Sequence, residues 1–388
     1  MTPSARVATA IVVLDEVLNG AAAEQALTSW ARRSRFAGSK DRAAIRDHVF
    51  DAIRCKLSFA ALGGEMSGRG LMIGQVRAAG DDPDAVFTGD GYGAPALNEA
   101  ERAAGHATQT EAERWNLPDW LVQSFKESLG DGAEDTALHL SERAPVMLRV
   151  NLAMGSVADA IDRLAEDGIS AEPHGLADTA LVVRDGTRKI RTSAAYAGGF
   201  VELQDAASQA VVAALPVQDG QRVLDYCAGG GGKTLAIAGR AQAQLFAYDI
   251  DPGRMKDLPL RAVRAGVNVR ILTADELAQT GPYDLVLCDA PCSGSGAWRR
   301  SPDGKWTLTP EKLNELNDLQ DDVLAKAATL VAANGTLAYA TCSVLRSENQ
   351  DRVQAFLYRN PEWVCAFEQA FLPSQGGDGF YTAHLTRG

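Results

Sequence analysis

YDLVLCDAPCSG, at residues 283–294, and GTLAYATCS, at residues 335–343, are two stretches of similar design. Each is a short apolar run, typical of a β-strand, that ends in a small polar residue beside a cysteine. Open α/β folds place their chemistry at the carboxyl ends of parallel strands. We therefore expect Cys292 and Cys342 to face one pocket.

Strand-like and helix-like segments alternate on both sides of these stretches, from Gly220 onward. Such alternation is typical of a parallel sheet with helices on both faces, so the predicted fold class is α/β. We expect Asn334-Gly335 to end the last long helix. The predicted strands are 222–226, 245–249, 269–273, 283–289 and 336–340, and the predicted helices are 233–240, 252–265 and 311–330.

Two regions with different patterns of predicted secondary structure precede the alternating segment that begins at Gly220. Residues 1–135 have helical patterning, broken by a loop-like stretch at 80–95. A small α+β unit follows, with strands expected at 146–150, 180–183 and 200–203 and a helix at 157–167. The sequence thus predicts three domains, at residues 1–135, 136–215 and 216–388.

The charge distribution is uneven along the 388 residues. The net charge of -12 argues against a nucleic-acid partner, because phosphate-binding proteins usually have a basic surface. Residues 32–56, however, hold eight Lys or Arg against three Asp. A solvated helix face and a phosphate-binding surface both explain this cluster. Further basic residues that we expect to line an RNA path lie at 184–191 and at Arg299, Arg300 and Lys305.

The start of the chain lacks the features of a signal peptide, and no apolar run has the length of a membrane span. The six cysteines form no CxxC pair and no metal-binding spacing with histidine. We therefore expect a cytoplasmic protein with reduced thiols, no metal and no membrane contact.

A glycine-rich turn, DYCAGGGGKT at residues 225–234, follows the first predicted strand. Glycines here let a ligand approach the backbone at a helix N-terminus. The third glycine of a dinucleotide fingerprint is missing, and Cys227 stands where a phosphate-binding loop has its first glycine. A plain tight turn is the structural alternative.

Acidic residues follow three successive strands of the predicted sheet. Asp249 ends the second strand and Asp275 ends the third, where they would contact a ribose and an adenine amine. A single acid at such a position is usually a helix cap. With Asp289 there are three such acids after three strands, and together they favour a nucleoside cofactor without pyrophosphate, which is S-adenosyl-L-methionine.

The cysteines provide the means to activate a cytosine. Carbon C5 of cytosine takes a methyl group only after a thiolate has added to C6, which is nucleophilic catalysis. An acid must then hydrogen-bond the base while charge develops, and Asp289 lies three residues before Cys292. A single cysteine is often just a small buried hydrophobe, the role we assign to Cys288 and Cys365.

Together these residues resemble the RNA 5-methylcytosine methyltransferases of the RsmB/Sun family. The shared motifs are the glycine turn, Asp249, Asp275, DAPCSG at 289–294, RRSPDGKW at 299–306, TCS at 341–343, EN at 348–349 and GDGFY at 377–381. The resemblance is strong over 200–388. It implies a Rossmann-like class I methyltransferase domain. More weakly, RFAGSKDR at 35–42 implies an all-α, NusB-like RNA-binding domain at 1–135.

The resemblance also implies roles. Cys342 would be the nucleophile at C6, Cys292 would assist release of the covalent adduct, and Asp289 would contact the cytosine. Family loops commonly have proline where Gly230 stands. The residues that would bind S-adenosyl-L-methionine are Cys227, Ala228, Gly229, Gly230, Gly231, Gly232, Lys233, Asp249, Asp275 and Asp289.

The sequence therefore predicts an S-adenosyl-L-methionine-dependent enzyme that methylates C5 of a cytosine in RNA, as a monomer acting on 16S ribosomal RNA. Transfer RNA is the alternative substrate. The alternative functions are an RNA-binding assembly module with an inactive catalytic domain, and a P-loop nucleotide hydrolase.

Overall fold

The computed structural model describes residues 1–388, which form two compact units. The first unit, called the helical unit, contains Met1–Arg143 and a separate segment, Trp298–Thr307. The second, called the sheet unit, contains Ala144–Ala297 and Leu308–Gly388. The three-domain division stays a prediction.

The helical unit confirms the helical patterning of the first part of the chain. Polar caps begin several of its helices: the Thr2 side chain accepts a hydrogen bond from the Ala5 amide, and Ser67 accepts one from the Gly70 amide. The apolar faces of the first five helices share one core. The helices are α1 (Pro3–Leu18), α2 (Ala23–Arg33), α3 (Ser39–Arg54), α4 (Lys56–Gly63), α5 (Gly68–Ala78), α6 (Pro83–Val86), α7 (Glu99–Ala103), α8 (Glu111–Trp115), α9 (Asp119–Leu129) and α10 (Ala133–Leu140).

The sheet unit begins with a four-stranded antiparallel sheet in the order β2-β3-β1-β4, called the small sheet. Its three predicted strands and its helix are confirmed. The elements are β1 (Val146–Val150), α11 (Val157–Glu166), β2 (Ser170–Pro173), β3 (Ala180–Asp185), α12 (Ala194–Ala197), β4 (Val201–Leu203) and α13 (Ala206–Ala214). One strand, β2, and two helices, α12 and α13, are additional.

A seven-stranded sheet in the order β10-β11-β9-β8-β5-β6-β7 follows. Strands β5 to β9 are parallel, so the predicted α/β class is confirmed, and β10 and β11 are antiparallel. The elements are β5 (Arg222–Asp225), α14 (Gly232–Ala238), β6 (Gln244–Ala247), α15 (Leu258–Ala265), β7 (Val269–Ile271), α16 (Ala274–Thr280), β8 (Tyr283–Asp289), α17 (Gly304–Thr307), α18 (Pro310–Ala328), β9 (Val331–Thr341), α19 (Gln350–Arg359), β10 (Trp363–Phe371) and β11 (Phe380–Arg387).

Two predictions about these elements were wrong. Asn334-Gly335 does not end α18, because β9 begins at Val331 and runs through both residues. Asp275 does not end the third strand either: β7 ends at Ile271, and Asp275 lies in the first turn of α16.

Segment 298–307 gives a further correction, because two of its basic residues are buried within the helical unit. Arg299 and Lys305 are 3% and 1% exposed. The Lys305 ammonium donates to the Arg54 carbonyl at 2.7 Å, and Nε of Arg54 donates to the Arg299 carbonyl at 3.0 Å. Burial lowers the pKa of Lys305 to about 7. Arg299 and Lys305 therefore do not present a charged surface to RNA, whereas Arg300 is exposed.

No helix in the structure combines the length and the apolar character needed to cross a bilayer.

Candidate active site

The two predicted cysteines are brought together by the register of β8 and β9. These neighbouring parallel strands pair Asp289 with Ala340, so both chains leave the sheet at the same edge. The turns that follow carry Cys292 and Cys342, whose Sγ atoms lie 3.4 Å apart. Both side chains are half-buried. The structure thus places both sulfurs at one point of the sheet edge.

A single buried carboxylate holds the two cysteine turns. Glu348 is fully buried and accepts hydrogen bonds from the Ser293 amide at 2.7 Å and the Ser343 hydroxyl at 2.5 Å. The Gln320 amide donates to Glu348 at 3.1 Å and to the Pro291 carbonyl at 2.9 Å. A buried carboxyl group is stable only when hydrogen-bond donors of this kind surround it. No role for Glu348 was predicted from the sequence, although it lies in the motif EN.

The contact between the two sulfurs affects the titration of Cys292. The hydrogen bond with Cys342, followed by burial, raises the pKa of the Cys292 thiol well above its usual value. Cys292 therefore keeps its proton, while either sulfur can be the donor in the 3.4 Å contact between the two side chains.

An ion pair lies beside the sulfurs. Nζ of Lys233 is 2.6 Å from Oδ2 of Asp289, and the lysine is 7% exposed. Burial lowers the pKa of Lys233, but the charge of Asp289 outweighs burial, and Cys342 adds to its effect, so the pKa is raised. The ammonium therefore stays charged. It also lies 5.0 Å from the centroid of the Phe380 ring.

The glycine-rich loop after β5 has a backbone that requires glycine at two positions. Gly229 and Gly231 have φ of 50° and 77°, in the left-handed region. A Cβ on Gly231 would lie 2.2 Å from Cδ1 of Leu258. The Gly229 amide donates to Oδ2 of Asp249 at 2.9 Å, and this carboxylate is 2% exposed. Asp249 therefore fixes the shape of the loop.

Asp225, the last residue of β5, has an incompletely satisfied carboxylate. Its Oδ2 accepts a hydrogen bond from the Thr234 hydroxyl at 2.6 Å, while its Oδ1 is buried without a partner in the protein. Burial, with a smaller contribution from Asp289, raises the pKa of Asp225 to about 6. A positively charged ligand next to the loop would be favoured by this carboxylate.

The donor set fits S-adenosyl-L-methionine. Its sulfonium and ammonium groups are cationic, and the loop is surrounded by the carboxylates of Asp225, Asp249 and Asp289. Burial raises the pKa of Cys227, so this residue is a neutral thiol. Asp275, in contrast, is exposed and makes no hydrogen bond to the other predicted site residues.

Comparison with known proteins shows the family of the chain. Residues 212–386 match the family described as 16S rRNA methyltransferase RsmB/F, and residues 117–188 match the ferredoxin-like domain of RsmF/B-like methyltransferases. The chain is 32% identical over 302 residues to ribosomal RNA small subunit methyltransferase B of Vibrio cholerae. The match covers 74% of this chain and 69% of the relative.

Two solved structures share the fold. A methyltransferase homologue from Pyrococcus horikoshii is 23% identical and has a TM-score of 0.62, covering 71% of this chain and 97% of its own. NSun6 from Pyrococcus horikoshii with SFG is 17% identical and also has a TM-score of 0.62, covering 70% and 98%. From the sequence matches, the chain belongs to the RsmB/F family of 16S rRNA methyltransferases.

Proposed function

We propose that this protein transfers a methyl group from S-adenosyl-L-methionine to C5 of a cytosine in 16S ribosomal RNA. The observation that carries the proposal is the 3.4 Å separation of the Cys292 and Cys342 sulfurs, next to Asp289. Two thiols and an acid at one sheet edge are what covalent activation of a pyrimidine requires. Membership of the family supports ribosomal RNA as the substrate.

Cys342 is the nucleophile in this proposal. Its thiolate adds to C6 of the cytosine and forms an S–C6 bond. The electron pair of the C5–C6 double bond becomes available at C5, which takes the methyl group. The cofactor supplies that methyl group as an electrophile and leaves as S-adenosyl-L-homocysteine.

Cys292 is the base that completes the reaction. Once Cys342 has bonded to C6, its sulfur no longer carries the negative charge or accepts the hydrogen bond that raises the Cys292 pKa. Cys292 can then lose its proton to solvent and accept the proton from C5. Removal of this proton restores the C5–C6 double bond and expels the Cys342 thiolate, which returns the enzyme to its starting state.

Asp289 and Lys233 act on the base and its charge. Oδ2 of Asp289 is occupied by the Lys233 ammonium, and no protein donor occupies the other oxygen. That oxygen can accept a hydrogen bond from the exocyclic amine of cytosine, while the neighbouring ammonium stabilises negative charge that develops on the ring.

The residues proposed to hold the cofactor are those of the glycine loop, from Cys227 to Lys233, with Asp249, Asp275 and Asp289. The carboxylates of Asp225 and Asp249 beside the loop favour a cationic donor. Asp275 lies at an exposed helix start, where a contact with the adenine amine leaves its carboxylate partly in water.

The NusB-like, RNA-binding role of residues 1–135 is part of the proposal. Exposed basic residues at 32–46 flank Phe36 in the sequence, and Phe36 itself is 77% exposed. Phe36 lines a largely apolar groove of about 880 Å³ with Trp30 and with Tyr92, which is 94% exposed. Aromatic rings beside cationic side chains are suited to unpaired RNA bases and their phosphates.

The experiment that tests the proposed function is methylation of purified 16S ribosomal RNA and of transfer RNA with radiolabelled S-adenosyl-L-methionine, followed by mapping of 5-methylcytosine. We expect label at C5 of a cytosine in ribosomal RNA. Label only in transfer RNA would contradict the substrate assignment. Calorimetry with S-adenosyl-L-methionine and an ATPase assay separate the enzyme from an inactive assembly module and from a P-loop hydrolase.

A further inference from the structure

The glycine loop, residues 227–233, is held from behind by two arginines. Nη1 of Arg149 donates to the Gly232 carbonyl at 2.7 Å, and Nη1 of Arg261 donates to the Gly230 carbonyl. A peptide unit is planar, so a fixed carbonyl also fixes the direction of the following N–H group. The two arginines therefore orient the amides of Gly231 and Lys233.

The loop needs such restraint from outside. Four successive glycines, 229–232, have more backbone freedom to lose than any other sequence of that length. The Gly230 amide donates to no acceptor in the protein. A Cβ on Gly230 would lie 2.9 Å from Nη1 of Arg261, so a larger residue there would shift this guanidinium.

Both arginines depend on the small sheet. Arg149 lies on β1 and is 5% exposed. Glu202 lies on β4, is 9% exposed and contacts Nε of Arg261 at 3.3 Å, and it also pairs with Arg264. Although burial raises the pKa of Glu202, Arg261 and Arg264 outweigh it and lower the pKa, so the carboxylate stays charged. Such buried charges are stable only as a paired group.

The loops next to β1 and β4 of the small sheet pack directly on α15, which carries Arg261. A Cβ on Gly199 would lie 1.9 Å from the Arg264 carbonyl. The Asn151 side chain donates to the Ala265 carbonyl at 3.0 Å. This close packing fixes Glu202 with respect to α15.

We infer that Arg149 and Arg261 are positioning residues for the cofactor loop, and that through them the small sheet sets the affinity for the methyl donor. The inference rests on the proposed function, because it assumes that the loop binds S-adenosyl-L-methionine. It gives the small sheet a role in cofactor binding in addition to any contact with RNA.

The test is calorimetric titration of the full chain with S-adenosyl-L-methionine. We expect Arg261→Ala to raise the Kd about tenfold, since a hydrogen bond from a charged donor is worth about 1.5 kcal/mol or more. Glu202→Gln should raise it less, about threefold. The control Arg270→Ala, which removes an exposed arginine paired with Glu276, should leave it unchanged. In turnover, Arg261→Ala should raise the KM for the donor and leave the KM for RNA unchanged.

A second substitution, at Gly230, distinguishes loss of restraint on the loop from general destabilisation of the fold. Gly230→Ala should weaken donor binding in the wild-type background, where its methyl group displaces Arg261. In the Arg261→Ala background the same change should strengthen donor binding by about threefold. Alanine at position 230 restricts the loop backbone, and its methyl group fits in the space that the Arg261 guanidinium has left. Simple additivity of the two changes would contradict the inference.

The possible failures are distinguishable. The inference would be overturned if Arg261→Ala and the milder Arg261→Lys both bound the methyl donor with a Kd within twofold of the wild-type value. The proposed function would then remain intact. Absence of donor binding by the wild-type chain would overturn the proposed function, and the inference would fall with it.

Discussion

The Lys233 ammonium lies 2.6 Å from the Asp289 carboxylate, at the sheet edge where both cysteine sulfurs converge. Lys233 comes from the end of the glycine loop and Asp289 from the end of β8. The pair thus joins the proposed cofactor loop to the proposed substrate side of the site. The charge of Lys233 is retained despite burial because Asp289 compensates for it.

Replacing Lys233 by methionine should lower kcat by about tenfold to a hundredfold, since a charge-assisted hydrogen bond is worth about 1.5–3 kcal/mol. Methionine keeps most of the apolar stem, so the loss is assigned to the charge. Single-turnover methylation measures the effect. Lys326→Met, at an exposed lysine, is the control. Equal rates for the Lys233 variant and the wild type would refute a catalytic role for the ammonium.

Replacing Glu348 by glutamine should loosen both cysteine turns, because the carboxylate accepts from Ser293 and Ser343 at once. We expect kcat to fall about a hundredfold. Phenylarsine oxide, which binds two neighbouring thiols together, should bind the variant more weakly than the wild type. This second readout does not require activity. Glu362→Gln, at an exposed glutamate, is the control. Unchanged arsenical affinity would show that Glu348 does not set the sulfur positions.

Because the pKa of the buried Asp225 carboxyl group is raised, we expect the stability of the protein to depend on pH. Its pKa is about 6 in the folded protein, raised mainly by burial from 3.8. The folded state therefore favours the protonated acid, and stability is lost as pH rises through 6. A shift of about 2 pKa units corresponds to about 3 kcal/mol at most.

The variant Asp225→Asn lacks this titration. The wild type loses stability through this group as the pH rises, and the variant does not. The free energy of unfolding of the variant minus that of the wild type should therefore be larger at pH 8 than at pH 4, as measured by urea denaturation at both pH values. If Asp225 also attracts the cationic donor, the same variant should bind S-adenosyl-L-methionine more weakly at pH 8. A stability difference that is the same at both pH values would contradict the raised pKa.

The basic cluster near Phe36 predicts salt-dependent RNA binding. Replacing Arg32 and Arg35 by alanine should weaken binding and reduce the slope of log Kd against log salt by about 1 for each lost phosphate contact. Phe36→Ala should weaken binding with little change in that slope, because stacking is uncharged. Arg102→Ala, at an exposed arginine paired with Asp84, is the control. An unchanged slope in the double variant would place the RNA elsewhere.

Strands β5, β8 and β9 were predictable from sequence because each contains a short apolar run that ends in a small polar residue. The last hairpin was not: β10 is largely exposed between its buried ends and shows no alternation. The turn-like pair Asn334-Gly335 was misleading for a different reason. Gly335 lies within β9, where a Cβ would come within 2.8 Å of the Asp284 carbonyl oxygen, so the glycine serves close strand packing.

The site was predictable only where a residue type has a local signature. Cysteines at strand ends and a run of glycines have one. Glu348, Arg149 and Glu202 do not, because each acts through partners far away in sequence. The burial of Lys305 depends likewise on its contact with the Arg54 carbonyl, so its charge alone indicated an exposed position.

The covalent step is tested most directly with Cys292→Ala, incubated with substrate RNA and S-adenosyl-L-methionine and run on a denaturing gel. Without the base that removes the C5 proton, we expect a complex of protein and RNA that survives denaturation. Cys342→Ala and the double variant should give no such complex and no methylated product. Continued methylation by Cys342→Ala, or a stable complex that forms without Cys342, would contradict the assignment of the nucleophile.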